Sequence, residues 1–504
     1  MPSIQNGFLS PLLRLLTLLL LVLPATLTAD TTTTDHNVED FIVKVHVTSK
    51  SHDTVSPWNS SIISSTGSGL IIEGKRILTN AHVVSDSTFI EIQRDGQSRR
   101  YEAGVEAVSH ESDLAVLKVK DESFFNNGDF LPLGDLPDVH QEIAVYGYPV
   151  GGDTLSITKG IVSRIEFQTY AHSGLSMQAV QVDAAINFGN SGGPAIADGK
   201  VVGIAMQISG GGEENIGYII PVSMVKRFLA DVADGKQEGI PELSLFTEEL
   251  LNPTLKKHYQ LGEGQSGVLV TKVCAETPTE KLIKPNDVIT HIDGNKIEDN
   301  GMTTLTPKKQ IDFLYHVDMH QVGDTLKLDI VRDGKSMQVE VPLTKAVESI
   351  YTYDETPVYF VYGGFVFVQS DRADICYSRR DYDKQDNKNA KEYARIAQAL
   401  ASPGNIGFHD TSNFFIEKIN GKEFNTFKEF FTLLKTGQSP YILLEDGTGE
   451  QLAIDRQQAE SGHQALLDKY LIQKPESAEV AQWETELVKE KASKQANAGD
   501  KQAL

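Results

Sequence analysis

The sequence contains little cysteine and an excess of acidic residues, and each feature excludes a class of protein. Only Cys274 and Cys376 occur in 504 residues, which excludes a disulfide-rich scaffold and any zinc or iron–sulfur site built on cysteine. Two buried free thiols are the expected state, with a disulfide as the alternative in an oxidising compartment. Asp and Glu number 69 against 46 Lys and Arg, a net charge of −23. Because such a surface repels phosphate backbones, no nucleic-acid partner is expected.

The hydrophobic run at the N-terminus is too short for a membrane-spanning helix. Residues 15–29 carry no charge, but these 15 residues fall short of the ~20 that a spanning helix needs. Arg14 precedes the run, and small residues up to Ala29 follow it, which is the pattern of a secretory signal peptide. We therefore expect residues 1–29 to be removed and the protein to be exported, into a periplasm, with a eukaryotic secretory or organellar lumen as the other destination. An uncleaved membrane anchor is the alternative.

Beyond this leader the sequence divides into three regions and a tail. Residues 30–235 show short β-rich runs separated by Gly, Asp, Asn and Ser, which predicts an all-β barrel or sandwich, closed by a helix over 222–232. Two related α+β modules are predicted at 243–345 and 350–455, each with a strand, a polar turn, a helix and an Asp-Gly hairpin. Residues 456–504 predict a charged helical tail that is mobile or contacts another copy.

Three short motifs in the β-rich region carry the residue types of nucleophilic catalysis. They are Thr79-Asn80-Ala81-His82-Val83-Val84, Ser112-Asp113-Leu114-Ala115-Val116-Leu117 and Gly189-Asn190-Ser191-Gly192-Gly193-Pro194. A serine hydroxyl attacks an amide only if an imidazole accepts its proton, and a carboxylate must orient that imidazole. We therefore predict Ser191 as the nucleophile, His82 as the general base and Asp113 as the residue that orients it. The backbone of Gly189, Asn190 and Ser191 is the predicted oxyanion hole.

These motifs, with Asp183-Ala184-Ala185-Ile186-Asn187 before the serine, resemble the HtrA/Deg branch of the trypsin-like serine proteases. The resemblance continues through 216–222, through 267–297, which is similar to the family's PDZ module, and through 360–368, which is similar to the second PDZ-like module of plant-type Deg proteases. It implies a mainly β fold, a trypsin-like double six-stranded β-barrel followed by two PDZ-like modules, with the active site between the barrels.

The same resemblance implies a function. It implies ATP-independent endoproteolysis of unfolded or damaged proteins, activating peptides at the PDZ-like modules, and a homo-oligomer built from trimers. Phe41 is the early aromatic residue available for a trimer contact. No cofactor and no metal are expected.

The substrate pocket is predicted from the distance to the nucleophile. In trypsin-like enzymes the base of the primary specificity pocket lies about six residues before the nucleophile. Here that position holds Ala185, followed by Ile186, and the predicted pocket wall consists of Ile204, Ala205 and Met206. Because no carboxylate lies at the base, we expect small or medium aliphatic side chains to be preferred over Lys and Arg. The alternative is that Ala185 and Ile186 belong to the barrel core.

The first PDZ-like module departs from the usual pattern. The segment 242–246 contains no glycine and begins with Glu242, so capture of a terminal carboxylate is not expected, although peptide binding is. The groove helix is predicted over 308–320, with His316 and His320 on a solvated face rather than at a metal. The second module is expected to serve assembly or regulation.

Two other functions stay open. One is a chaperone-like or peptide-binding scaffold with little turnover, and the other is a membrane-tethered regulatory protease.

Overall fold

The structure is a computed structural model that describes residues 37–125, 129–206, 216–274, 277–307, 309–345, 353–371 and 392–502. The predicted signal peptide and Cys376 lie outside the described residues. Cys274 is buried and disulfide-bonded, so the expected free thiol at this position is wrong. Sequence alone does not reveal such a bond because it depends on how the fold brings distant segments together.

Six antiparallel strands form the first closed barrel, in the order β1-β2-β3-β6-β5-β4. Val, Ile and Leu side chains point inward from these strands and are buried, as expected for β-branched residues on a pleated surface. Phe41 is buried in this core, so its side chain does not present a surface for a trimer contact. The elements are β1 (Ile42–His52), β2 (Ser60–Ile72), β3 (Arg76–Thr79), α1 (Ala81–Val84), β4 (Ser87–Arg94), β5 (Arg100–Ser109) and β6 (Leu114–Val119), with short 3₁₀ turns at Val38–Phe41 and Glu122–Phe124.

Six further strands form the second closed barrel, in the order β10-β11-β12-β9-β8-β7. A helix follows its last strand and ends the region, close to the predicted range 222–232. The two closed six-stranded barrels confirm the predicted mainly β, trypsin-like fold. The elements are β7 (Glu142–Gly147), β8 (Ser156–Thr169), β9 (Ser176–Val182), β10 (Pro194–Ala197), β11 (Lys200–Ala205), β12 (Gly217–Pro221) and α2 (Val222–Ala233).

The first PDZ module is an antiparallel sheet in the order β14-β15-β16-β20-β21, with β13 and β22 paired at the ends of the module. The predicted groove helix over 308–320 is wrong in its first half. Residues 309–312 form a strand paired with 302–306, and only 314–318 are helical. The elements are β13 (Pro241–Glu242), β14 (Leu245–Glu249), α3 (Pro253–His258), β15 (Val268–Val273), α4 (Pro278–Leu282), β16 (Val288–Ile292), β17 (Asn295–Lys296), β18 (Met302–Thr306), β19 (Lys309–Asp312), α5 (Leu314–Asp318), β20 (Thr325–Arg332), β21 (Lys335–Pro342) and β22 (Thr344–Lys345).

The second PDZ module has two four-stranded sheets around an aromatic core. The segment predicted as a charged tail forms two helices. Its last helix places Val480 and Trp483 in the core of this module, so the segment packs on the module. The elements are β23 (Tyr359–Tyr362), β24 (Phe365–Asp371), β25 (Glu392–Ala399), β26 (Phe414–Ile416), β27 (Lys418–Ile419), β28 (Lys422–Glu423), α6 (Phe427–Thr436), β29 (Tyr441–Glu445), β30 (Gln451–Asp455), α7 (Arg456–Lys469) and α8 (Ala478–Gln502), with a 3₁₀ turn at Pro403–Asn405.

Candidate active site

His82 and Asp113 meet through two hydrogen bonds. The His82 backbone N–H donates to Asp113 Oδ1 at 2.8 Å, and His82 Nδ1 lies 2.7 Å from Asp113 Oδ2. The Asp113 side chain is 4% exposed and that of His82 is 19% exposed, so the contact is shielded from water. Because Nδ1 faces a carboxylate, we assign the proton to Nδ1, which leaves Nε2 as the basic nitrogen. The structure therefore joins two of the three predicted triad residues in the geometry that orients a general base.

The turn that carries Ser191 is held against the start of α1. Within the turn the Asn190 N–H donates to Asn187 O at 2.9 Å, and the Ser68 N–H donates to Ser191 O at 2.8 Å. Gly192 has a φ of +85°, and a Cβ there would lie 2.1 Å from Ser68 O and 3.2 Å from the Asn80 backbone nitrogen. No other residue fits this close approach. Since Asn80 immediately precedes the helix of His82, the turn brings Ser191 to the edge of the same site.

The backbone around Gly189 provides candidate oxyanion donors. Gly189 has a φ of +96°, and a Cβ there would lie 2.4 Å from Tyr148 O. Among the described residues the N–H groups of Gly189 and Ser191 make no hydrogen bond, whereas the Asn190 N–H is used inside the turn. Of the three predicted oxyanion residues, two therefore have N–H groups available for an incoming oxygen.

Ser68 supports this backbone and was not predicted from the sequence. Its hydroxyl donates to Gly189 O at 2.7 Å and accepts the Tyr148 N–H at 2.8 Å, and the side chain is fully buried. The signal was a serine between Gly67 and Gly69 in a strand, since small residues allow another backbone to approach closely.

The end of β11 lies beside the Ser191 turn. The Gly192 N–H donates to Ala205 O at 3.0 Å, and the Ala205 N–H donates to Gly193 O at 2.8 Å. The predicted wall residues Ile204, Ala205 and Met206 are buried at this strand end. Ile186 is buried in the core of the second barrel, and a Cβ on Gly217 would lie 2.8 Å from its Cδ1.

Ala185 is exposed, and its carbonyl accepts the Thr158 hydroxyl at 2.9 Å. The five predicted pocket residues are therefore all placed on segments around the Ser191 turn.

A second histidine lies beside the candidate base and was not predicted. The His172 ring centroid is 6.1 Å from that of His82 and 5.1 Å from that of His110. Burial lowers the pKa of His172 to about 4, so this imidazole is neutral at pH 7. It therefore adds no positive charge that would compete with His82 for Asp113.

The two histidines of the first PDZ module have different surroundings. His320 Nε2 lies 2.7 Å from Asp293 Oδ2, and its Nδ1 lies 3.4 Å from Asp324 Oδ2. His316 is half-buried and not on a solvated face, and burial lowers its pKa.

Comparisons with known proteins identify the domains and the family. Residues 67–204 match a trypsin-like peptidase domain, and 251–343 and 348–479 each match a PDZ domain. Protease Do-like 4, mitochondrial, of Arabidopsis thaliana is 36% identical over 405 residues, which is 78% of this chain and 76% of that protein. Protease Do-like 2, chloroplastic, of the same plant is 34% identical over 455 residues, or 87% of this chain and 75% of that protein. The chain belongs to the Deg/HtrA family of serine proteases.

A solved structure of an HtrA-type protease, AlgW with a tripeptide, is 23% identical to this Deg/HtrA chain. It aligns with a TM-score of 0.48 and covers 61% of this chain and 94% of that one. The trypsin-like domain and the Deg/HtrA relatives make the protein a serine endopeptidase, and both C-terminal modules are PDZ domains.

Proposed function

We propose that this Deg/HtrA protease cleaves unfolded or damaged proteins without ATP, through an acyl-enzyme formed on Ser191. The double hydrogen bond between His82 and Asp113 carries the proposal, because it fixes both the ring orientation and the tautomer of the base. His82 Nε2 accepts the proton of the Ser191 hydroxyl as Ser191 Oγ attacks the peptide carbonyl. The same nitrogen then gives the proton to the leaving amine. In the second half of the reaction His82 Nε2 accepts a proton from water, the water oxygen attacks the acyl carbonyl, and the proton returns to Ser191 Oγ.

The proposed oxyanion hole consists of the Gly189 and Ser191 N–H groups. Backbone donors are suited to this role because they are held rigidly and need no reorganisation when negative charge develops. Ser68 supports the assignment, since its hydroxyl donates to Gly189 O and so holds the peptide that joins Gly189 to Asn190. The Asn190 N–H, which was also predicted to belong to the oxyanion hole, is left out because it donates to Asn187 O.

We propose an apolar primary pocket formed by Ala185, Ile186, Ile204, Ala205 and Met206. The hydrogen bonds between Ala205 and the Ser191 turn support the assignment of the strand end 204–206. Ile186 packs in the core of the second barrel beside Gly217, so its part in the pocket is the weaker element of this proposal. Substrates with Val, Ala or Leu before the cleaved bond should therefore be preferred over those with Lys or Arg.

Partners and location are proposals of the same kind. We propose unfolded protein chains as substrates, peptides at the PDZ modules as activators, and a homo-oligomer. Because Phe41 is buried, any trimer contact must use other residues.

The leader over 1–29 predicts an exported, periplasmic protein. The names of the plant relatives assign those proteins to mitochondria or chloroplasts. N-terminal sequencing after cell fractionation distinguishes these destinations and tests whether the leader is cleaved.

The decisive experiment compares residues 30–504 with the Ser191→Ala variant on an unfolded model protein without ATP. We expect fragments from the wild type alone, with aliphatic residues before the cleavage sites in mass spectra. Suppressed aggregation without cleavage would instead support the chaperone-like alternative. A membrane-tethered protease requires a retained N-terminus, and that segment lies outside the described residues. Among the residues that the structure describes, no helix is both long and apolar enough to cross a membrane.

A further inference from the structure

Residues 353 and 354, which lie between the two PDZ modules in the chain, contact the protease domain beside the catalytic residues. Asp354 Oδ1 accepts the Asp86 N–H at 2.5 Å, and Asp354 Oδ2 accepts from His110 Nε2 at 3.1 Å. Asp86 returns the contact, because its Oδ1 accepts the Asp354 N–H at 2.9 Å. One carboxylate therefore bonds to two separate loops of the protease domain.

Those two loops are the ones that carry the base and the residue that orients it. Asp86 lies just after α1, the helix of His82, and His110 lies in the turn that leads into Asp113. Asp113 has a φ of +54°, a region that non-glycine residues seldom adopt, so its position depends on how this turn is held. Asp354 therefore links the turn before Asp113 to the loop after His82, without itself bonding to His82 or Asp113.

Tyr353 secures the same arrangement through ring contacts. Its ring stacks on His172 with centroids 3.9 Å apart and on His110 with centroids 4.8 Å apart. The Tyr353 hydroxyl donates to His172 O at 2.7 Å. His110 Nδ1 lies 2.9 Å from His172 Nε2. If His172 Nε2–H donates to His110 Nδ1, the single ring proton of a neutral His110 lies on Nε2, where it can donate to Asp354. Both hydrogen bonds can therefore form with both imidazoles neutral.

We propose that Tyr353 and Asp354 are positioning residues of the active site, which clamp the loop after His82 to the turn before Asp113. We call these two residues the strap. The inference rests on the proposed function, because it assigns the strap a role in the reaction of His82 and Ser191. The strap acts only through the two loops and does not touch the reacting atoms. A displacement of about 1 Å in a catalytic group is enough to reduce the rate ~100-fold, so a clamp at this point affects turnover.

The test uses the full chain with Asp354→Ala, Asp354→Asn, Tyr353→Phe and the matched control Glu355→Ala. Glu355 is the next acidic residue, is exposed, and makes no bond to either loop among the described residues. A peptidyl p-nitroanilide with valine before the cleaved bond gives kcat and KM, and an alkyl fluorophosphonate gives the rate at which Ser191 is labelled. Asp354→Asn keeps an oxygen that accepts the Asp86 N–H, so it serves as the conservative replacement.

We expect Asp354→Ala to lower kcat and the labelling rate about 10-fold or more, with KM changed less than about 2-fold. Asp354→Asn should recover part of the loss, Tyr353→Phe should lose less than Asp354→Ala, and Glu355→Ala should match the wild type. An unchanged or increased kcat in Asp354→Ala would overturn the proposal, and so would an equal loss in Glu355→Ala. If Asp354→Ala does not fold, Asp354→Asn takes its place in the test. A lower kcat than that of the wild type then supports the proposal, and an unchanged or increased kcat overturns it.

Hydrogen exchange separates failure of the strap from failure of the proposed function. If the wild type is no more active than Ser191→Ala, the proposed function fails, but exchange at Asp86 still reports on the strap. In that case faster exchange at Asp86 and across 110–113 in Asp354→Ala supports the clamp, and unchanged exchange overturns it.

Discussion

Acidification should destabilise the protease domain through one buried imidazole, that of His172. Burial holds the pKa of His172 at about 4, below the ordinary value of 6.5, so folding favours its neutral form. A group with a lowered pKa in the folded state contributes stability that is fully present above 6.5 and is lost as pH falls toward about 4. Each unit of difference between the folded and unfolded pKa corresponds to about 1.4 kcal/mol, so the free energy of unfolding falls by about 3 kcal/mol once His172 is fully protonated in both states. By the same linkage the loss is about 1 kcal/mol at pH 5.5 and about 2 to 3 kcal/mol at pH 4.5.

The assay compares the wild type with His172→Gln and with the surface control His409→Gln. Because the Trp58 ring packs beside Tyr359 of the second PDZ module, hydrogen exchange of the buried barrel strands in urea, rather than tryptophan fluorescence, reports the unfolding of the protease domain. Carboxylates and the other histidines titrate in all three proteins, and their contribution cancels in the comparison. Between pH 7.5 and 4.5 the free energy of unfolding should fall about 2 to 3 kcal/mol less in His172→Gln than in the wild type. An identical fall in both proteins would refute the assignment of a buried neutral imidazole, and His409→Gln should follow the wild type.

Three further predictions concern the nucleophile turn and the C-terminal helix. Gly192→Ala should abolish peptide hydrolysis, because the new Cβ would collide with Ser68 O. The control is Gly199→Ala, since Gly199 has a similar φ of +72° but no atom within 4 Å of an added Cβ. This variant should stay active and lose only ~1 kcal/mol of stability in urea titrations. Ser68→Ala should lower kcat more than it raises KM and cost about 1 to 3 kcal/mol, since Gly189 O and the Tyr148 N–H lose their partner; an unchanged kcat would contradict its supporting role. Trp483→Ala should destabilise the second PDZ module by about 3 to 5 kcal/mol in calorimetry, while a tail that folds separately would leave the module unaffected.

The sequence was sufficient where the structural signal is local. Each β-rich run and the helix after the second barrel span a short stretch of consecutive residues, so periodicity and residue type identify them. The triad motifs are equally short, and the roles assigned to His82, Asp113 and Ser191 stay predictions. The two PDZ domains were likewise visible as a repeated strand, turn and hairpin. The double hydrogen bond of His82 to Asp113 follows from the topology, because β3 and β6 are neighbouring strands of one barrel.

The groove helix was wrong because two patterns overlap in 308–320. Ile311, Leu314 and Val317 are spaced as on a helix, but Ile311 and Phe313 are both buried with the less buried Asp312 between them, which is the alternation of a strand. The Asp312 carboxylate accepts the Leu314 N–H at 2.9 Å at the point where the helix begins. The strand therefore continues further than the helical spacing suggests.

The C-terminal helix shows a different limit of composition. Its average is polar, yet Val480, Trp483 and Leu487 lie three and four residues apart and form a narrow apolar stripe. Lys435 and Lys428 of α6 pair with Glu484 and Glu486 beside this stripe, at 2.6 and 2.9 Å. A few well-placed side chains dock the helix although the segment as a whole is hydrophilic.

The contacts between domains were outside the reach of local patterns, and they bear on catalysis. The first PDZ module reaches the protease domain through Lys309, whose Nζ donates to Leu136 O at 3.0 Å, and through Gln321, whose amide donates to Arg227 O at 3.3 Å. The second reaches it through Gln398, which donates to Val55 O at 2.8 Å. Asp354 lies between these two docked modules, 268 positions from Asp86 in the chain. The contacts on which the proposed role of Asp354 depends, with the Asp86 N–H and with His110 Nε2, therefore join segments that no local sequence pattern connects.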